Sequence, residues 1–442
     1  MESKLSMDFK FMQLLKFTLP SIVMMIFTSL YTMVDGIFVS RFVGTDALSA
    51  VNIVYPVFNI VFAIGIMLAT GGSAIIAKKI GEQRIVEARE DFSLLVYVGA
   101  TIGILILVLG LTFAEPLAIM LGASESIFEM AVNYMKTYLM FAPLGILQLL
   151  FQYFFVTEGK PEMGLVMTIV GGVLNIILDY VFIVTFDLGI VGAGLATGIG
   201  MAVPAIIGLV YFTFSRKGNL YLVKAKFKGK VLLDSSINGS SEMVSNLALA
   251  VVTLLFNLIM MELVGEDGVA AITILLYAQF VLNAIYFGFS MGVAPVLSYN
   301  FGSENKKRIK KIYRYCMQFI LGISIASALI SIVLAPTIIS AFAQKGTNVY
   351  DVAINGASIF CISFLFTGVN IFTSSLFTAF SNGKISALLS FMRTFVFIVS
   401  GLIILSSIFG VEGVFAAVPV AEALSIVISI YFMKKYKSVY GW

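Results

Sequence analysis

The chain has 442 residues, of which 60% are hydrophobic and only 12% charged, where a soluble domain carries about a quarter charged residues. A single core stops growing near ~250–300 residues and needs polar surface to cover it, so a water-soluble globule is excluded and the surrounding solvent is lipid. The formal net charge of +4 is small enough to be a topology signal rather than an affinity for polyanions, and nucleic-acid binding is not expected.

With ~20 residues per spanning helix, the apolar runs bounded by charges, Gly and Pro predict an all-α polytopic membrane protein with twelve transmembrane helices. They cover residues 12–40, 46–77, 91–113, 126–156, 162–185, 190–214, 234–262, 268–299, 315–340, 350–380, 384–408 and 413–433. Runs this long and continuous exclude a barrel, whose strands alternate and cross in ~9–11 residues. The first run is too long for a signal peptide and stays as a span. It holds Pro20, which removes a backbone hydrogen bond and makes a hinge, then Tyr31 and Asp35.

The fourth span carries Gln152, the fifth Asn175 and Asp179, and the sixth Thr197 in the glycine-rich stretch Gly192-Ala193-Gly194-Leu195-Ala196-Thr197-Gly198. In the second half Glu242 and Asn246 lie in the seventh span beside Gly239-Ser240-Ser241, Gln279 and Asn283 in the eighth, Asn370 in the tenth, Arg393 in the eleventh and Glu422 in the twelfth. Cys316 and Cys361 read as small core residues rather than a disulfide. There is no histidine, which removes imidazole metal sites, Ser-His triads and histidine proton relays, so proton chemistry falls to carboxylates. No enzymatic activity and no organic cofactor are expected.

Of the 28 Lys and Arg residues, only Arg41, Lys136 and Lys345 fall on one side, and Arg393 lies within a span. The rest face the other side, which the positive-inside rule makes cytoplasmic, together with both termini. The multi-pass chain is thus expected in the cytoplasmic (inner) cell membrane. The densest clusters, Arg216 to Lys230 and Lys306 to Arg314, read as stop-transfer and lipid-headgroup anchors.

A repeat runs through the chain at an offset of 221 residues, half its length. Val43-Gly44 falls on Val264-Gly265, Asp46 on Asp267, Ala50 on Ala271, Ala63-Ile64 on Ala284-Ile285, Gly71 on Gly292, Gly81 on Gly302, Gly189 on Gly410 and Gly192 on Gly413. Six spans per half is an even number, so the halves share an orientation and are related by an axis along the membrane normal. Two pseudo-symmetric six-helix bundles, 1–214 and 234–442, joined by a basic linker 215–233, predict an alternating-access transporter with a central cleft.

An ionisable residue in a span costs several kcal/mol unless it faces a partner or a wet cavity. By helical rise Asp35 lies about 9 Å below Arg41, and Asp179 about 12 Å below Asp187, so both sit in the outer half of the first bundle. Asn175 shares a helix face with Asp179, and Thr197 lies at a similar depth. Four oxygen-bearing side chains at one level predict a proton-sharing pair or a small-cation site, for Na+ among the hard ions. At the repeat offset these positions become Phe256, Val396, Ser400 and Val418, so the cluster belongs to one half only, as a coupling site requires. Arg393 and Glu422 predict a structural ion pair. Glu242 is either a contact for cationic substrate or a structural group. Tyr31, Gln152, Gln279, Asn283 and Asn370 are further candidates for lining a substrate cavity.

In this order on a twelve-span repeat, several short motifs carry a resemblance: Leu19-Pro20 and Val34-Asp35-Gly36, Val43-Gly44, Glu158-Gly159-Lys160-Pro161, Leu174-Asn175-Ile176-Ile177-Leu178-Asp179, Gly192-Ala193-Gly194-Leu195-Ala196-Thr197, and Ala417-Val418-Pro419-Val420-Ala421-Glu422. The chain resembles the multidrug and toxic compound extrusion (MATE) transporters, in particular the prokaryotic branch named for DNA-damage-inducible protein F. The resemblance implies an antiporter that exports lipophilic organic cations against inward H+ or Na+, with the coupling ion at Asp35, Asn175, Asp179 and Thr197; a monomer is expected. The alternative is a flippase for lipid-linked saccharides or cell-wall precursors, which calls for a cationic cavity.

Overall fold

The computed structural model describes residues 4–442, apart from the side chain of Thr45, and all regular structure among them is helical. The spans are α1 (Phe11–Val43), α2 (Asp46–Gly81), α3 (Ile85–Met120), α4 (Glu125–Leu139 and Ala142–Thr157), α5 (Pro161–Thr185), α6 (Gly189–Phe214), α7 (Gly229–Leu263), α8 (Glu266–Gly302), α9 (Lys306–Phe342) and α10 (Asn348–Ala379). The last continuous stretch, Gly383–Tyr440, is broken at Gly410, whose φ of 58° and ψ of −131° no helix contains. It therefore makes two spans, α11 (383–409) and α12 (411–440), and the total is twelve.

α4 bends by 51° between its two parts because Pro143 at the start of the second removes a backbone donor and clashes with the preceding turn. The equivalent place in α10 carries a 3-10 turn, Cys361–Ser363. Gly410 and its counterpart Gly189 (φ of 54°) both have positive φ. The two halves thus break and turn at matching positions, as the sequence repeat expects.

Several helices extend past the apolar runs on the side that carries both termini, here called the basic face. α3 starts at Ile85, α7 at Gly229, α9 at Lys306, and α12 ends at Tyr440. The linker shortens to 215–228, against the expected 215–233, and the second bundle begins earlier than residue 234. Apolar composition marks only the length of helix within lipid, whereas backbone hydrogen bonding continues wherever nothing interrupts it.

The lobes meet only over part of their length. One continuous apolar core joins the first lobe to the basic-face half of the second, including Tyr286, Phe289, Ile320, Phe372 and Phe377. The opposite half of the second lobe packs as a separate core around Phe256, Ile272, Phe360 and Phe415. Glycines make the closure possible. A Cβ on Gly81 would sit 2.0 Å from the Tyr299 carbonyl oxygen, and one on Gly302 would sit 2.0 Å from that of Lys78. Both pairs exchange under the repeat offset, so α2 and α8 cross backbone to backbone on the pseudo-twofold axis. Deeper in, Gly71 abuts Ser235 and Gly239 of α7, and Gly292 abuts Thr18 of α1, again as exchanged pairs. Lys78 Nζ lies 5.1 Å over the Phe301 ring across the seam. Towards the opposite face no such contacts recur: Gly36, Gly44 and Gly265 have nothing within 4 Å of a built Cβ.

The chain ends and the linker cover the basic face. Leu5 and Phe9 are buried, Ser6 O accepts from Arg308 Nη1 at 2.6 Å, and Asp8 pairs with Lys311 at 2.8 Å. Lys4 meanwhile reaches Glu162 at 3.7 Å, so the N-terminal segment spans from α5 of one lobe to α9 of the other. Lys311 beside Asp8 holds its carboxyl below the usual range. Among the described residues, the linker's hydrogen bonds and ion pairs run to the first lobe. Glu158 accepts from Asn219 N and Leu220 N, each at 2.8 Å, Arg89 stacks 4.0 Å over the Tyr221 ring, and buried Asp91 pairs with Lys79 and Lys228. Burial pushes the Glu158 carboxyl up, against the two backbone donors that favour its charge. Replacing Glu158 by Ala leaves both N–H groups without an acceptor, at about 1–3 kcal/mol each. Limited proteolysis is expected to cut that variant within 217–224 at least tenfold faster than the parent chain, and an unchanged pattern would show that other contacts hold the linker.

Candidate functional site

Three glycines set the geometry around Asp179. A Cβ on Gly171 would lie 2.5 Å from the Gly200 carbonyl oxygen, which draws α5 and α6 together, and one on Gly172 would lie 2.5 Å from the Phe27 ring, which draws α1 to the other side of α5. On Gly200 it would lie 3.0 Å from the Asn175 Cβ. Asn175 is therefore flanked by α6 where Thr197 emerges, one helical turn from Asp179.

Asp35 and Asp179 each stand just before a change of helix type. Five residues of π-helix, Val39–Val43, follow Asp35, and a longer π stretch, Tyr180–Thr185, begins immediately after Asp179. Such wide turns recur at functional sites, where they free backbone groups and allow a helix to rewind.

The structure brings all four oxygen-bearing residues together. Asp35 is adjacent to Asn175, Asp179 and Thr197, and Thr197 Oγ1 donates to Asp35 Oδ1 at 3.4 Å. Asn175 and Asp179 are 3% and 0% exposed, yet neither the Asn175 amide atoms nor either Asp179 carboxylate oxygen has a hydrogen-bond partner. Buried polar atoms are ordinarily paired, and leaving several unpaired at one point costs several kcal/mol. Asp35, Asn175 and Asp179 are thus close neighbours held short of good bonding geometry.

A fifth group completes the cluster. The Tyr134 hydroxyl on α4 lies against Thr197 and near both carboxylates, and Gly194 allows the approach because a Cβ there would meet Thr137 at 2.9 Å. From this point tyrosines lead towards the other lobe. Tyr138 neighbours both Tyr31 and Tyr55 and packs on Phe58 with centroids 3.8 Å apart, and Tyr55 neighbours Tyr277 of the other lobe. Tyr55 and Tyr277 are 47% and 46% exposed, so they flank the unclosed part of the seam. Among the aromatics the sequence singles out only Tyr31. Tyr134 and Tyr138 carry a faint signal in their spacing of four, which puts both on one helix face.

Other expected cavity residues are placed differently. Gln152 is 9% exposed and donates to Thr168 Oγ1 at 2.7 Å within its own lobe, beside a cavity of about 10 Å³ that also touches Phe151, Met167 and Pro204. α4 turns that face towards α5, where Thr168 supplies the acceptor. Asn370 is likewise bonded to a neighbouring helix. Its amide donates to Glu422 Oε2 at 2.7 Å and its Oδ1 accepts from Ser429 at 2.9 Å. Arg393 Nε donates to Glu422 Oε1 at 2.9 Å, so α10, α11 and α12 share one buried network. Pro20 lies in α1 between Thr18 and Ile22, two residues at the seam with α8. Glu242 is half-buried on α7 with its carbonyl bonded to Asn246 at 2.8 Å, in electrostatic range of Arg393 and of Tyr153 in the other lobe. Gln279 and Asn283 are half-buried on α8, and Asn283 Oδ1 has no partner.

Replacing Arg393 by Leu leaves Glu422 buried without its counter-ion, which costs roughly 3–5 kcal/mol. The purified variant is expected to unfold at a clearly lower temperature than the parent chain in the same detergent, while replacing both residues by apolar ones restores most of the loss. An unchanged transition in the single variant would remove the structural role of this pair.

The MatE family model matches residues 20–181 and 243–404, one copy in each lobe. The chain is similar to multidrug export protein MepA of Staphylococcus saprophyticus subsp. saprophyticus, 24% identical over 435 residues that cover 96% of this chain and 94% of that protein. It is also 24% identical over 434 residues to multidrug export protein MepA of Staphylococcus aureus strain MRSA252, at the same coverage of both. A crystal structure of MATE in complex with MaL6 has the same fold, with a TM-score of 0.92 at 22% identity over 97% of this chain and 96% of that one. An outward-facing multidrug resistance MATE family transporter of the MOP superfamily superimposes with a TM-score of 0.91 at 22% identity and the same coverage.

Proposed function

Because the chain belongs to the MatE family, we propose that it is a secondary antiporter that exports lipophilic organic cations from the cell, driven by inward flow of H+ or Na+. The observation that carries the coupling role is the set of buried polar atoms without partners on Asn175 and Asp179, beside Asp35. A proton on one carboxylate, or a sodium ion among the Asp, Asn and Thr oxygens, satisfies them. The names of the MepA relatives, multidrug export proteins, support the substrate class.

The positive-inside rule assigns the basic face to the cytoplasm. The closed seam is then on the cytoplasmic side, and the tyrosine-lined cleft opens outwards. In this reading the outward-facing chain takes up the coupling ion at the Asp35 cluster. The π turns after Asp35 and Asp179 and the missing hydrogen bond at Pro20 let α1 and α5 change shape as the charge is neutralised. Tyr31, Tyr138, Tyr55 and Tyr277 offer π faces to a bulky cation, each worth about 0.5–2 kcal/mol. The coupling ion and the cation compete for the negative charge of the cluster, which makes the two fluxes exchange.

Efflux of a fluorescent organic cation from proteoliposomes, with a pH gradient or a Na+ gradient imposed separately, tests the reading. Transport driven by one gradient identifies the ion. No transport under either gradient, with the chain correctly inserted, overturns it.

A further inference from the structure

Outside the cleft, the linker and the ends of α3 and α6 form a groove of about 870 Å³ lined by Tyr97, Thr213, Arg216, Leu222, Val223, Lys224 and Ala225. No carboxylate lines it. Its walls are fixed: Leu222 N donates to Phe212 O at 2.7 Å, Val223 N to Ser93 Oγ at 2.9 Å and Tyr97 Oη to Val223 O at 3.3 Å. The Thr213 hydroxyl is spent on Leu209 O at 2.6 Å. Arg216 uses one N–H on Leu222 O at 3.1 Å and lies 4.5 Å over the Tyr221 ring, which leaves the rest of its guanidinium fork free. Lys224 has no ion pair or hydrogen bond among the described residues. In contrast, Lys226 and Lys228 are engaged by Glu90 and Asp91.

Lys224, with no ion pair or hydrogen bond among the described residues, and Arg216, with most of its fork free, thus stand on a backbone bolted to α3 and α6 where the spans leave the bilayer. Directly towards the membrane lie exposed apolar side chains, Val210 and Phe214 of α6 and Ile104 of α3, and Phe227 of the linker is 80% exposed. The geometry points to a binding site for one anionic diacyl phospholipid of the cytoplasmic leaflet. Its phosphate sits between Arg216 and Lys224 and its chains lie along α3 and α6. An Arg fork matches phosphate oxygens in two parallel hydrogen bonds, and Lys adds a point charge. The apolar approach favours a lipid over a free phosphate, and anionic headgroups are attracted to juxtamembrane cations in this way. Since the linker joins the two lobes and closes one wall of the groove, bound lipid also holds the linker on the first lobe.

The test is the thermal stability of the purified full chain in detergent, titrated with phosphatidylglycerol, phosphatidylcholine or glycerol 3-phosphate. Phosphatidylglycerol is expected to raise the transition temperature, and the other two are not. In the Arg216→Gln/Lys224→Gln chain the apparent affinity for phosphatidylglycerol is expected to fall roughly 30-fold, as two juxtamembrane cations are lost. The Lys434→Gln/Lys435→Gln chain, altered in the other lobe, keeps the full response. If the first double variant fails to fold, Lys224→Gln alone serves, because its side chain makes no hydrogen bond or ion pair among the described residues, and a loss of roughly fivefold is expected. An undiminished response in these variants, or an equal response to phosphatidylcholine, overturns the site. An equal response to glycerol 3-phosphate overturns the lipid assignment in favour of a soluble phosphate.

Discussion

Proteoliposomes carrying the Asp35→Asn chain are expected to show no gradient-driven efflux of an organic cation, although the protein inserts and unfolds at the parent temperature. Asn has the shape of Asp and keeps an oxygen to accept from Thr197 Oγ1, so the fold has no reason to change. What changes is the charge. With Asp179 alone the cluster has one carboxylate, and a sodium ion loses one of its two anionic ligands in a buried site where each charge-assisted contact is worth about 1.5–3 kcal/mol, or roughly 10- to 150-fold in affinity. For a proton the consequence is as severe, because Asn binds none in this pH range. Thr197→Ala removes only a neutral contact and is expected to weaken coupling by less than tenfold. The order of the two variants separates a coupling site from a packing site. If Asp35→Asn retains gradient-driven transport, the cluster does not couple; if it loses both transport and thermal stability, the carboxylate serves folding.

The sequence shows some of these features clearly because lipid penalises charge. Asp35, Asp179, Arg393 and Glu422 stand out of apolar runs simply by being there, and the repeat around Val43-Gly44 and Val264-Gly265 makes the two lobes legible without any structure. What the sequence does not contain is the angular phase of each helix. Gln152 and Asn370 read as cavity residues, yet each is turned to a partner on a neighbouring helix, Thr168 for one and Glu422 for the other. Tyr134 is lost among 18 Tyr and 39 Phe, since an aromatic in a span usually packs. The seam is intermediate. Gly71, Gly81, Gly292 and Gly302 show as repeat matches in the sequence, but the reason for them, backbone atoms of the facing helix within 1.9–3.0 Å of the missing Cβ atoms, is a property of the folded pair of lobes.

That seam supports the second large expected effect. In a Gly302→Val chain the new Cβ would stand 2.0 Å from the Lys78 carbonyl oxygen, far inside the contact distance of about 3.4 Å or more. The obstacle is backbone, so no rotamer relieves it, and α8 has to move away from α2. Overpacking of this kind costs about 1–3 kcal/mol or more, and the cost falls only on the state in which the seam is closed. A state that parts the lobes at the basic face does not incur it. The equilibrium between the two facing states should therefore move by roughly 5- to 150-fold or more towards the open seam.

A reporter is available in Ser21. Its backbone carbonyl lies against Gly288, its side chain is fully buried, and the native Cys316 and Cys361 are themselves buried. In a Ser21→Cys background, labelling by a membrane-impermeant maleimide supplied on the cytoplasmic side is expected to be slow, and to become fast when Gly302→Val is added. Gly322→Ala is the control, since nothing lies within 4 Å of a Cβ there, and it should leave labelling unchanged. Where Gly302→Val does not fold, Gly302→Ala places the same first atom against the same oxygen. Protection of the introduced thiol in both variants would mean that the lobes absorb the clash without parting. Fast labelling with reduced efflux would tie the glycine crossing to the transport cycle, because an exporter held open on one side returns too rarely to the other to release its cargo.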